Sequence, residues 1–209
     1  MSATPPRLCD GPTSQTTAPR PYHHGDLRAA LLQAAEDELA ERGMEAFSLR
    51  SVAKRAGVSH AAPAHHFGDA QGLLTALAAE AFRQFLAAQA AREAAAETDP
   101  ASQLVAAGMG YVDFAIARPT LFRLMWQSDR PDFNVPDLGL AARAAFQHLV
   151  DQVTAAGGNS TADEAAVWAL AHGLADLLAS SRLRGVGSLD PQARDVMVAS
   201  IIRRALPGS

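Results

Sequence analysis

Residues Gly57 to Leu74 read GVSHAAPAHHFGDAQGLL, and the fold turns on how this stretch is divided. Gly57 ends an apolar-periodic run (Leu49, Val52, Ala53, Ala56) that begins behind Ser48, a good N-cap. Ser59 is placed to cap a short helix ending near Phe67, and Asp69 to cap a long one carrying the leucines. Two short helices about a glycine-centred turn make a helix-turn-helix, whose second helix enters a DNA major groove. Where a groove reader usually offers Arg, Lys, Asn or Gln, this segment offers histidines, alanines and a proline.

Outward from that corner the pattern stays helical. Upstream, Leu27, Leu31, Ala34, Ala35 and Leu39 recur at helical spacing from Asp26 to the Arg42-Gly43 stop. Downstream, the helix after Asp69 carries Leu73, Leu74, Leu77, Ala78, Ala81, Phe82, Phe85 and Leu86 on one stripe and runs to ETDP. Further helices are expected at about 101–117, after Pro119 through Gln127, and at about 138–156, 162–184 and 191–205. Residues 1–22 are rich in Pro, Thr and Ser without periodicity and are expected to form a disordered arm, from which Arg7 and Arg20 could reach a minor groove.

Composition agrees with an all-α protein. The 209 residues are 48% hydrophobic, enough to fill a core, and rich in Ala, Leu and Arg over β-branched types. The lone Cys9 can pair with no second cysteine, which points to a reducing, cytoplasmic setting. No run reaches the about 18 to 20 apolar residues of a membrane span. A net charge of -4 confines any nucleic-acid contact to a local basic face.

The segment FSLRSVAKRAGVSHAAPAHHF, followed by the capped leucine-rich helix, resembles the DNA-binding domain of the TetR family of transcriptional regulators. GYVDFAIARPTLFRLMW and VWALAHG, with Trp168, His172 and Gly173 in W-x-x-x-H-G, are similar to the C-terminal domain of a TetR subgroup carrying that Trp-His-Gly signature. The resemblance implies a helix-turn-helix domain over residues 23–72 and a ligand-binding and dimerisation domain over 73–209. It further implies a homodimer formed through the last two helices, a palindromic double-stranded operator, and release from it by a small apolar or amphipathic effector.

On this reading Ser48, Arg50, Lys54, Arg55, Ser59, His60, Ala61, His65 and His66 face DNA. Arg50, Lys54 and Arg55 would give a dimer about six phosphate contacts and a salt slope near -5. Imidazole can meet guanine, and the methyl of Ala61 a thymine methyl. The family's Leu-Tyr before the His-Phe pair is replaced by Pro63 and Ala64, and a common lysine by Ala70, which implies weaker affinity more than lost specificity. Pro63 falls just past a helix start, so a helix that begins late is expected.

Met109, Tyr111, Phe114, Phe122, Met125, Trp126, Trp168 and His172 are the candidates for an effector pocket, although core packing accounts for the same residues. His172 could orient a ligand between Trp168 and Asp176, or bond to Asp176 as an interior histidine. Gly173 suggests a second helix close by. Nothing in the sequence arranges a nucleophile, an acid-base pair or metal-ligand spacing, so neither an enzyme nor a cofactor is expected. The competing expectation is a TetR-shaped ligand- or protein-binding protein with weakened or lost operator recognition.

Overall fold

The structure, a computed structural model, describes residues 24–207; the expected arm, with Arg7, Cys9 and Arg20, lies outside them, as does His23. Among the described residues there are ten α-helices and no strand: α1 (His24–Arg42), α2 (Leu49–Ala56), α3 (Ala62–Phe67), α4 (Ala70–Glu93), α5 (Pro100–Ala117), α6 (Pro119–Trp126), α7 (Pro136–Ala155), α8 (Thr161–Ala179), α9 (Arg184–Gly187) and α10 (Pro191–Ile202). The helix starts follow side-chain chemistry. Ser48, Asp69, Asp99 and Asp190 each accept a hydrogen bond from a backbone N–H three residues on, and Ser160 and Asp163 form a reciprocal capping box. Each such cap is worth about 1 kcal/mol.

Two boundaries differ from the pattern-based expectation. Ser59 does not cap α3. The helix begins at Ala62 behind Ala61, which makes no side-chain cap, and the Ser59 carbonyl accepts from Ala62 N at 3.0 Å. This start leaves Pro63 in the first turn, where its missing N–H has no helical partner to lose. The helix expected over 162–184 stops at Ala179, because Ser181 turns left-handed (φ 55°) and Arg182 N–H closes onto the Leu177 carbonyl at 2.8 Å. α9 is then a separate turn, and α10 tightens after Ile202 into a 3₁₀ turn over Arg203–Ala205.

α4 organises the rest. Its 24 residues span about 36 Å. It packs on α1 and α3 as well as on α5, α6 and α7. Leu73, Leu74 and Leu77 near its start and Phe82 and Phe85 beyond them are all buried in one continuous core, shared with Leu31 and Val52 of the helix-turn-helix and with Phe114, Phe122 and Leu174 downstream. Two charge contacts tie the ends of this core. Arg118, at the α5–α6 junction, donates to Glu36 of α1 at 2.7 Å, and Arg92 of α4 holds Asp113 of α5 and Asp195 of α10.

α4 and α5 can approach because Gly110 lacks a side chain: a Cβ there would stand 2.5 Å from the Gln89 Cα. Gly110→Ala should therefore lower stability by about 1–3 kcal/mol, read from denaturant midpoints, through overpacking of a seam that cannot open locally.

Candidate functional site

The corner formed by α2 and α3 turns its polar residues outward. Ser59, His60, Ala61, Ala64 and His65 are exposed, while Pro63 is buried and anchors α3 to the domain. Gly57 makes the turn possible by adopting φ 68°, and its N–H closes the end of α2. Arg50 and Lys54 are exposed on α2. The Ser48 hydroxyl is occupied as the cap of α2 and lies 2.9 Å from the Ser51 hydroxyl. His66 is half-buried against the Phe67 ring and lines a groove with Arg28, Glu36 and Glu80.

Arg55, expected to face phosphate, is exposed and at the same time paired with carboxylates of α1. Its Nε donates to buried Glu38 at 3.0 Å and its terminal nitrogen to Glu41, so α1 and α2 are pinned together. Hydrogen bonds to Glu41 and Glu38 hold the Arg55 guanidinium above its usual range. For Glu38, burial pushes the carboxyl up, but hydrogen bonds from Ser51 and Arg55 and the charges of Arg42 and Arg55 outweigh it, leaving it below the carboxylate range. Arg28 lies over the Phe67 ring at 5.6 Å, a second cation against this corner that the sequence pattern did not single out.

A cavity of about 150 Å³ opens between α4, α5, α7 and α8. Of the residues expected to line it, Tyr111, Trp126 and Trp168 do. Phe114, Phe122 and Met125 are core residues in the wall behind these rings, Met109 packs at the edge of the core, and none of the four lines the cavity. The rings stack edge to face: Phe85 on Tyr111 (4.7 Å between centroids), Phe85 on Phe114 (5.6 Å) and Phe82 on Trp126 (5.4 Å). Sequence reasoning missed Gln89, His148 and Gln152, the polar members of the lining, although Gln89 continues the apolar stripe of Phe82 and Phe85 at helical spacing. Glu93 accepts from Gln152 at 3.2 Å and sits 2.7 Å from His148 Nε2. Phe133 and Phe146, both exposed, flank the opening.

His172 does not line the cavity and does not bond to Asp176. Its Nδ1 is 2.8 Å from the Tyr111 hydroxyl, and its ring lies against Phe122 and Trp126. Asp176 accepts from Gln127 instead, at 2.9 Å. Burial pushes the imidazole down, more than the nearby Asp176 charge raises it, and burial pushes the Tyr111 phenol up. Both groups are thus held neutral, and the hydroxyl can donate to an unprotonated Nδ1. Among the described residues nothing beyond its chain neighbours and its own helix backbone comes within 4 Å of where a Cβ on Gly173 would stand, so the helix its small size invites is not one of the described helices.

Residues 31–77 match the family described as bacterial regulatory proteins of the tetR family, and residues 104–203 match a tetracycline repressor-like C-terminal domain. The chain is 31% identical over 173 residues to a Burkholderia ambifaria protein named HTH-type transcriptional regulator BetI, covering 79% of this chain and 87% of that one. A protein of the same name from Stenotrophomonas maltophilia is 33% identical over 58% of this chain and 62% of its own length. Among solved structures, a Rhodococcus protein titled as of unknown function superposes with a TM-score of 0.73 at 33% identity, over 90% of this chain and 99% of that one. A TetR-like regulator from the same genus, 17% identical, shares the fold with a TM-score of 0.65 over 90% and 100%.

Two outcomes follow from the pairing at these sites. Arg55→Met should lower the melting temperature measured by circular dichroism, since it leaves buried Glu38 with only one of its two arginine partners, Arg42; an unchanged melting temperature would show that the arginine serves only an outside contact. The lowered His172 means the unfolded chain takes up a proton before the folded one. Its contribution is therefore whole above the ordinary imidazole range and fades as pH falls toward the folded value. Wild-type stability should drop more between about pH 7 and pH 5 than that of His172→Gln, compared by urea unfolding at each pH.

Proposed function

Because the chain belongs to the TetR family of transcriptional regulators, and is therefore not an enzyme, we propose that it is a cytoplasmic, effector-responsive repressor that binds a palindromic operator as a homodimer. The observation that carries this reading is the outward face of α2 and α3, where Arg50, Lys54, His60, Ala61 and His65 are all exposed around a turn whose inner side is locked by Pro63. Arg50 and Lys54 reach phosphate, and Ser59, His60, Ala61 and His65 meet base edges. His66, beside Phe67, is kept for a phosphate at the helix end.

Two such corners must stand about 34–36 Å apart to meet successive turns of one groove. The dimer that spaces them forms through α8 and α10. Support comes from the exposed apolar side chains Leu177, Val196 and Met197 and from the open surface at Gly173. The effector occupies the cavity beside Tyr111, Trp126 and Trp168, a site small and apolar enough for a compact ligand. The Trp168-His172-Gly173 signature supports placing the chain in the Trp-His-Gly subgroup, with His172 bonded to Tyr111 at the cavity wall. A ligand that fits the cavity in only one setting of α4 shifts the separation of the corners and releases DNA.

A second reading, a TetR-shaped binding protein with weakened operator recognition, is favoured by one observation: the Arg55 charge is already paired with Glu38 and Glu41 of α1. With Arg50 and Lys54 alone a dimer makes about four phosphate contacts, for a salt slope near -4. Fluorescence anisotropy on the DNA flanking the protein's own coding region separates the readings. A repressor gives a sequence-specific component that Lys54→Ala weakens on every sequence, flattening the slope by about two units per dimer. Uniformly weak binding, unaffected by that substitution, contradicts it. Leu177→Glu should produce monomers by sedimentation and weaken operator binding at the same time.

A further inference from the structure

We propose that the cavity between α4, α5, α7 and α8 selects a compact, uncharged amide, with the Gln89 carboxamide as the group that recognises it. The proposal rests on the reading that the effector occupies this cavity and deepens it by naming the chemistry the site takes. Most polar groups of the lining are already engaged within the protein. His148 and Gln152 both meet Glu93, and the Tyr111 hydroxyl meets His172. Gln89 differs. It is only 6% exposed, it lines the cavity, and its side chain has no hydrogen-bond partner among the described residues. Trp126 Nε1, in the same lining, is likewise buried without a partner.

A buried amide left unpaired destabilises the free protein, and a ligand that supplies the missing partner relieves that penalty. A carboxamide carries both an acceptor and donors, so the group that satisfies it best carries both as well. A second amide does so through two reciprocal N–H···O bonds, and its carbonyl has a further lone pair for a donor such as the Trp126 N–H. The same lining disfavours ions. No Arg, Lys, Asp or Glu is among the residues that line the cavity, and His148 Nε2 already faces Glu93. A carboxylate or an ammonium would be desolvated there without a counter-charge. Phe82 with Trp126 and Phe85 with Tyr111 pack edge to face, so one ring face in each pair is covered by its neighbour and closed to a cation. Gln89 is also fixed from behind, because Gly110 brings the α5 backbone to where a Cβ would stand 2.5 Å from the Gln89 Cα. Phe85 and Phe82, one and two turns earlier in α4, supply apolar wall for the rest of the ligand. A cavity of about 150 Å³ accommodates one benzene-sized ring.

Four probes built on that ring test the proposal: benzamide, benzoate, benzylammonium and toluene, titrated calorimetrically into the full chain at neutral pH. Benzamide should bind about tenfold or more tighter than benzoate and benzylammonium. Gln89→Leu should weaken benzamide about tenfold and bind toluene at least as tightly as the wild type. It should melt no lower than the wild type by circular dichroism, since an unpaired buried amide is gone. Gln89→Met, closer to glutamine in length, should show the same loss and serves where the leucine variant folds poorly. Benzoate or benzylammonium binding as tightly as benzamide, or full benzamide affinity in a folded Gln89 variant, overturns the proposal and leaves the cavity reading intact. Binding of toluene without benzamide does the same. Absence of binding by all four probes overturns both.

Discussion

One helix carries a buried stripe from the helix-turn-helix to the aromatic cavity, and everything else in this protein is arranged about that fact. α4 begins on the Asp69 cap with Leu73, Leu74 and Leu77 in the core shared with the helix-turn-helix, and continues through Phe82, Phe85 and Gln89 beside the aromatic cavity. Its stripe never changes face, so neither half can be repacked without moving the same rod. The Gly110 seam fixes its distance from α5, and Arg92 fastens its last turn to Asp113 and Asp195. A molecule lodged against Phe82 and Phe85 therefore presses on the element that carries α3. Close-packed interiors transmit such displacements as rigid steps, since they have little volume in which to absorb them.

The second theme is how charge is spent. A chain with net charge -4 has few cations to offer a polyanion, and here several are paired with the protein's own carboxylates. Arg55 pins α1 to α2, Arg118 holds Glu36, and Arg92 bridges three helices. These pairs position the corner; they do not add to its field. What the corner still offers without a carboxylate partner is Arg50 and Lys54 on α2, Arg28 over Phe67 and the imidazoles around α3. The small side chains of Ala61 and Ala64 leave the outer side of the corner open, and Pro63 of the six-residue α3 is buried against the domain.

Most of the fold was legible in the sequence because helix ends are written in local chemistry. Ser48, Asp69, Gly57 and the stripe of α4 gave boundaries that the structure keeps to within a residue or two. The failures were equally physical. Ser59 looked like a cap, but the constraint from Pro63 shifted the start to Ala62. Nothing local announced the break at Ser180–Ser181, where a non-glycine residue takes a left-handed turn. The site was less legible than the fold. Glu38 and Arg55 meet across 17 positions, and Tyr111 and His172 across 61, distances over which periodicity says nothing. Aromatic richness marked the region of the cavity correctly, yet Phe114, Phe122 and Met125 fill its wall, while Gln89, His148 and Gln152 face inward from three turns that read as ordinary helix.

The central claim is that the outer face of α2 and α3 is where this protein meets a duplex. Amide hydrogen exchange read with and without the DNA flanking the coding region addresses it directly. The His65 and Gly68 amides close single bonds onto Ala61 and Ala64 in an exposed helix of less than two turns, and such bonds open readily in the free protein. The account predicts that DNA slows exchange across residues 48–68 and leaves the exposed face of α7 unchanged. Unaltered exchange over that corner, with protection appearing elsewhere on the surface, would contradict it.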